Sequence, residues 1–184
     1  MKSIKDYVIT MESKRLIGFC LSALLIALAI GEASAQARRR SRKEQSRFGA
    51  EAVIRKPVEI PTDVLSILRE DERNRTCLRD GESPTSITSS WFVGSQIHLS
   101  NGAADLVVTT RNECLLGANV VPFWVFRNTP QGHQLVLSVS ALGLDVLNTK
   151  TKTYRDIRLS AATAQRVRTT LFKFDGKEYR SGKL

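Results

Sequence analysis

The chain has 184 residues, 28 Lys/Arg against 18 Asp/Glu for a net charge of +10, 42% hydrophobic residues and three cysteines. That length suits one domain with its own core and hardly two, and the basic excess points toward acidic partners or surfaces. Three cysteines leave room for a single intramolecular bridge.

The first element in chain order is an apolar run, Leu16 to Ile30, preceded by Lys14 and Arg15 and followed by Ala33, Ser34 and Ala35. A charged lead, a short greasy centre and small residues before a cut are the parts of an export signal. As a helix the run measures about 22 Å, against about 30 Å of bilayer hydrocarbon. It is short for a permanent span. Residues 1–35 are therefore assigned to a cleaved signal peptide and the product to a secreted or periplasmic location. The opposing reading is an uncleaved, inward-facing signal anchor, because the flank after the run is more basic than the flank before it.

Residues 36–56 read as a basic disordered linker. In its first dozen residues Arg38, Arg39, Arg40, Arg42, Lys43 and Arg47 stand against Glu44 alone, and like charges without apolar partners cannot offset their ordering entropy. The same block would tether the protein to an anionic membrane surface or envelope polymer, each residue contributing about 1 kcal/mol. No aromatic residue interleaves the arginines, so nucleic acid is not expected as a partner.

Order is expected from Pro57, with residues 57–184 forming a single β-rich domain. Val64, Leu65 and Leu68 share one side of a helix over Asp63 to Glu72, with Thr62 as cap and Asp63 at the positive end. Beyond Cys77 the apolar period becomes that of strands, broken by Gly, Pro and Asn. Expected strands are Trp91–Leu99, Leu106–Thr110, Phe123–Arg127, Gln134–Ala141, Arg155–Ser160, Arg168–Phe174 and a short one near Glu178–Arg180. Asn101-Gly102, Pro130 to Gly132 and Asp175-Gly176 supply turns, the last as a two-residue hairpin. The fold class that follows is mainly β: an antiparallel meander with one short N-terminal helix.

Phe123 to Phe126 is apolar on both parities, which suits a strand covered on both sides. In Gln134–Ala141, by contrast, Leu135, Leu137 and Val139 alternate with Ser138 and Ser140, giving one core face and one wetter face. Trp91, Phe92, Trp124, Phe172 and Phe174 read as core. Cys20 leaves with the signal, so Cys77 and Cys114 form the one disulfide an oxidising compartment allows, stabilising the fold by roughly 3 to 4 kcal/mol. Thirty-seven positions of separation, with only His98 and His133 to assist, make a zinc site improbable; no metal and no cofactor are expected.

One rhythm occurs twice. Asp105-Leu106-Val107, then WVFRNTPQG at Trp124 to Gly132, then Leu135 to Leu137 is followed by Asp156-Ile157, TLFKFDG at Thr170 to Gly176, and Glu178 to Arg180. Repeats of this length fit stacked β-units. The stretch IHLSNGAADLVV, Ile97 to Val108, resembles the acidic loop and following strand of FG-GAP or VCBS-type repeats, whose pattern is similar to DxNxDGxxDLxV. The resemblance covers about Trp91 to Arg180 and implies two propeller-blade-like units in an adhesive or binding module. Asn101, Gly102 and Asp105 match that pattern. His98, Ser100 and Asn101 stand where most of the calcium-binding acids of such loops would be.

There is no G-x-S-x-G, phosphate loop, H-E-x-x-H or C-x-x-C. His98 reads as a strand residue on the polar face and His133 as solvated. Acids at Glu70 to Glu72 and at Asp80 with Glu82 could house an acid–base pair but are accounted for by solvated ends and turns. Asn74-Arg75-Thr76 is a glycosylation sequon only in a eukaryotic secretory pathway. The reading is an exported, non-catalytic envelope binding module. Its candidate surface is the exposed strand parity with Arg127, Arg155, Arg158, Arg166 and Arg168, and its partner a protein or an acidic envelope polymer. An inhibitor of an envelope hydrolase and a hydrolase of wall polymer or glycan are the alternatives.

Overall fold

The structure is a computed structural model that describes residues 44–162 and 166–182. The Leu16 to Ile30 run, the Ala33–Ala35 site and the basic residues Arg38, Arg39, Arg40, Arg42 and Lys43 lie outside the described residues. No helix among the described residues is long and apolar enough to cross a membrane.

Among the described residues, strands and α-helices follow in the order β1 (Arg47–Gly49), β2 (Pro57–Val58), α1 (Thr62–Glu70), α2 (Glu72–Arg75), β3 (Phe92–Ile97), β4 (Asp105–Thr110), β5 (Val121–Thr129), β6 (Gly132–Ala141), β7 (Gly143–Thr151), β8 (Tyr154–Ala162), β9 (Val167–Phe174) and β10 (Tyr179–Ser181). They form two five-stranded antiparallel sheets, a first of order β2-β3-β4-β5-β6 and a second of order β1-β7-β8-β9-β10. The chain is mainly β, as its periodicity predicts. One meander has become two, because Leu142 alone separates β6 from β7 and carries the chain from the first sheet to the second.

Two cores follow from strand alternation. Val107 and Val125 of the first sheet meet Leu144, Ile157 and Phe174 of the second, with Phe48 of β1 sealing the edge. The opposite parity of the first sheet, Leu106, Val108, Trp124 and Phe126, packs on Val64 and Leu68 of α1. The layers therefore run helix, first sheet, second sheet. β5 is the strand apolar on both parities, and Phe123 to Phe126 are completely buried. A bulge between Val125 and Phe126 opposes β6, so Leu135 joins the helix-side core while Val136 and Leu137 join the other.

Several elements differ from expectation. The linker does not extend to residue 56: β1 pairs Phe48 with Leu144, because one phenylalanine among charges is enough to anchor a three-residue edge strand. β7 is an unexpected strand; only Leu144 and Val146 alternate in it, and a register shift then separates Val146 from Lys150. The hairpin at Asp175-Gly176 is wider than two residues, since Phe174 pairs with Tyr179. Asp175 Oδ1 accepts from the N–H of Lys177 (2.8 Å) and of Glu178 (2.9 Å), which closes the longer loop.

α1 stops at Glu70 rather than Glu72. Its N-cap is Pro61 with no side-chain cap bond; Thr62 already lies inside the helix, and Asp63 Oδ1 instead accepts from the Val64 N–H at 2.9 Å. Asp71 adopts an extended conformation and caps α2 through the Arg73 N–H. Its Oδ2 also accepts from Trp124 Nε1 at 2.7 Å and from Arg73 Nη2 at 2.7 Å, and the Arg73 guanidinium lies 4.8 Å from the Trp124 ring centre. Arg73 Nη2 also donates to Ser138 on the wetter parity of β6. Burial raises the Asp71 pKa, but the bonds from Arg73 and Trp124 outweigh it and leave the carboxyl below its ordinary value.

Cys77 and Cys114 are disulfide-bonded, closing 37 positions of sequence and tying the end of the helical layer to the turn Glu113–Leu115. Such a bond fits an oxidising compartment. The two copies of the repeated rhythm fall on corresponding strands, one on β4-β5-β6 of the first sheet and the other on β8-β9-β10 of the second. The sheets face each other across one core, and no closed ring is formed by the described residues.

Candidate functional site: the open basic face

The first sheet is covered on both sides, whereas the second has a face with nothing packed on it among the described residues. Strand alternation decides what that face carries. Phe48, Leu144, Leu159, Phe174 and Tyr179 point into the core, so Arg47, Asp145, Arg158, Lys173 and Arg180 point away from it. The antiparallel register sets Arg47 opposite Asp145, Asp145 opposite Arg158, and Arg180 opposite Lys173. The side chains of Arg47, Arg158 and Arg180 are 83%, 41% and 68% exposed, and Lys173 is exposed.

Asp145 bridges its two neighbours, accepting from Arg158 Nη2 at 2.7 Å and lying 3.5 Å from Arg47 Nε. Arg180 pairs with Asp175 (2.8 Å) and Glu178 (2.9 Å) in the hairpin loop. The loop's backbone donors at Glu178 and Lys177 hold the Asp175 carboxyl below its ordinary pKa, aided by the charges of Arg180 and Lys152. These exposed pairs orient the guanidinium groups more than they stabilise the fold.

Charge is segregated along the chain and hence between layers. Residues 143–184 carry ten Lys/Arg against four Asp/Glu, while residues 44–142 carry nine against eleven. The second sheet is the basic part of the domain. Its face offers guanidinium and ammonium donors to solvent.

The five arginines singled out from the sequence do not converge. Arg158 alone lies on this face. Arg155 is a structural pin: its Nε donates to the Leu147 carbonyl (2.6 Å), its Nη2 to that of Val146 (3.0 Å), and its Nη1 reaches Glu44 Oε1 (3.3 Å). It collects carbonyls that the β7 register shift removes from the ladder, and its side chain is 15% exposed. Arg127 lies between the sheets beside Tyr154 and Gln134. Arg168 pairs opposite Ala161, on the parity of Phe172 and opposite to that of Arg158, and is exposed near the end of the sheet. Arg166 is exposed just before β9.

The outward placement of Arg47, Lys173 and Arg180 has a signal in the sequence: each adjoins an aromatic residue, Phe48, Phe172 with Phe174, or Tyr179, whose burial forces its neighbour outward.

The remaining polar residues fill structural places. The N–H groups of Leu99 (2.8 Å) and Asn128 (3.0 Å) donate to the two oxygens of buried Asp105. Burial raises its pKa against these bonds. Asp105 thus closes the loop between β3 and β4. The Thr151 hydroxyl donates to Asp156, its counterpart in the second sheet, at 2.8 Å. Tyr179 donates to the Arg155 carbonyl at 2.6 Å, and burial with the charges of Asp105 and Asp156 pushes its phenol upward.

β3 ends at Ile97, so His98 lies past the strand, with Nδ1 3.2 Å from Glu44. His133 is not solvated: its side chain is 18% exposed, and its backbone N–H donates to Asp63 Oδ2 at 2.8 Å, with Nδ1 2.9 Å from the same oxygen. Glu70 pairs with Arg75. No group of three or more His, Cys, Asp or Glu suited to a metal occurs among the described residues. Comparison with protein-family models, curated proteins and solved structures gives no match.

Proposed function

We propose that this protein is an exported, non-catalytic binding module that docks an acidic polymer of the cell envelope on the open face of its second sheet. The observation that carries the reading is the segregation of charge: the only sheet face left uncovered by described residues displays Arg47, Arg158, Lys173 and Arg180, in the part of the chain with ten basic and four acidic residues. Cationic rows also discourage edge pairing and aggregation, but that role needs charge only at β1 and β10. Here Arg158 and Lys173 occupy interior strands.

The disulfide supports passage through an oxidising compartment, and the apolar run before Ala33 supplies a means of export. Arg38, Arg39, Arg40, Arg42 and Lys43 add charge of the same sign to the chain and would strengthen attachment to an anionic surface. The resemblance to FG-GAP or VCBS-type repeats, typically adhesive or binding modules, points the same way as analogy only.

The test is binding of the purified mature protein to dextran sulfate, with uncharged dextran as control, over a range of salt. Retention on the sulfated polymer that falls with ionic strength is expected. The pair Arg158→Glu with Lys173→Glu should weaken it at least about thirtyfold, since each basic residue near a charged surface contributes about 1 kcal/mol. Unchanged binding in that variant overturns the assignment of the face. Mass spectrometry of the native protein should find Gln36 at its amino terminus; an intact Leu16 to Ile30 segment overturns export.

A further inference from the structure

Separate from the basic face, a groove of about 630 Å³ opens between the β5–β6 hairpin, α1 and the start of β8. Ile67, Leu135 and Pro130 give it apolar wall, and Asn128 and Gln134 give it amides. Arg127 lies in it. Its Nη2 donates to Gln134 Oε1 at 2.7 Å and its Nη1 to the Tyr154 hydroxyl at 3.3 Å. The guanidinium carbon is 5.7 Å from the Tyr154 ring centre and 5.6 Å from that of Phe174. Two rings and two neutral acceptors thus fix the cation in place.

What the arrangement lacks is an anion. No carboxylate among the described residues forms an ion pair with Arg127, and its buried Nε has no acceptor. Asp105 is close enough to interact with its charge, but the backbone N–H groups of Leu99 and Asn128 already donate to its two oxygens. Partly burying a guanidinium without a counter-ion costs free energy, and a carboxylate accepting from the second N–H of Nη1 and of Nη2 would recover part of it.

The frame is rigid where it needs to be. Asp63 in the first turn of α1 holds both the backbone N–H and the ring of His133, so hairpin and helix cannot part freely. Gly132 between them has a φ of +108°, and a Cβ there would lie 3.0 Å from Asp63 Oδ2.

From these observations we infer that the groove is a binding site for a small organic carboxylate, with the acid on Arg127 and an apolar body against Ile67, Leu135 and Pro130. One cation, already within reach of the Asp105 charge, favours a monoanion over a phosphate, and the half-apolar wall favours a carbon body over an inorganic ion.

The test is titration of the isotope-labelled mature protein with phenylacetate, followed by amide resonances. Phenylacetamide is the uncharged control and inorganic phosphate the competitor without a body. Phenylacetate should shift Asn128, Gln131, Gln134 and Leu135 saturably with a Kd on the order of 1 mM, phenylacetamide roughly tenfold more weakly. Arg127→Gln should remove the preference for the acid. Tyr154→Phe keeps the ring and loses one orienting bond, so it should retain the fold and weaken phenylacetate a few-fold. The comparison of acid with amide in the unaltered protein decides the matter even where Arg127→Gln fails to fold. Equal binding of acid and amide, phosphate binding as tightly as phenylacetate, or the absence of saturable shifts in these residues overturns the site.

Discussion

The two sheets have the same number of strands and the same antiparallel pairing, yet they live in different surroundings. The first is enclosed, by α1 on one side and the second sheet on the other, and its strand β5 is apolar at every position from Phe123 to Phe126. The second keeps one face in solvent and alternates strictly, Phe172, Lys173, Phe174 or Ile157, Arg158, Leu159. Burial on both sides fixes residue identity through packing, whereas a bare face leaves it to other demands. In this protein the bare face carries four cations, Arg47, Arg158, Lys173 and Arg180, with Asp145 between two of them.

If the first sheet carries the stability, its central aromatic should be the costliest residue to truncate. Trp124→Ala removes a fully buried ring, its edge contact with Phe92 (5.7 Å between centres) and the bond to Asp71. A loss of about 3 to 5 kcal/mol in urea denaturation is expected. Opening the disulfide with Cys77→Ser and Cys114→Ser together should cost roughly 3 to 4 kcal/mol by restoring freedom to the unfolded chain. A much smaller loss would mean that the helical layer is held by packing alone. Asp105→Asn keeps the shape but replaces one acceptor with a donor facing a backbone N–H, so about 1 to 3 kcal/mol is expected from the same assay.

Acid sharpens the comparison further. Asp71 and Asp63 have lowered values in the folded protein, for Asp71 through Arg73 and Trp124 against burial and for Asp63 chiefly through the His133 N–H. Their contribution is complete above the unfolded carboxyl value of about 3.9 and is lost as pH falls through the folded values. Asp105 has the opposite sign: its raised value means that protonation relieves the folded state, so stability is regained as pH falls through that value. Denaturation midpoints against pH should therefore decline less steeply on the acid side in Asp71→Asn and more steeply in Asp105→Asn. At the bottom of the scale, Lys173→Glu on the bare face should change stability by no more than about 0.5 kcal/mol, while dextran sulfate binding falls. A large loss of stability there would make the face structural.

Legibility in the sequence follows the same division. The two-sided burial of β5 was readable because apolar residues at consecutive positions leave neither parity of a strand for solvent. The α1 stripe was readable from its spacing, although its end was hidden because Asp71 is bonded by Trp124, a residue 53 positions away. The β7–β8 turn was not readable: Lys152 and Thr153 take φ of 49° and 71° without the glycine or asparagine that marks such turns. The passage between sheets at Leu142 left no mark in composition. Among the candidate arginines, sequence alone could not separate Arg158, held outward by its buried neighbours, from Arg155, drawn inward by carbonyls that only the β7 irregularity frees. Pairing that depends on a distant irregularity leaves no local trace.

The layer order has a consequence for how the molecule meets a charged surface. The helical layer holds Glu70, Glu72, Asp80 and Glu82, and the basic sheet is the outermost layer on the far side of the first. Separated charge of this kind is a molecular dipole, on which an external field exerts a torque before any contact forms. The protein would approach a polyanion already turned, arriving sheet first with its helices trailing.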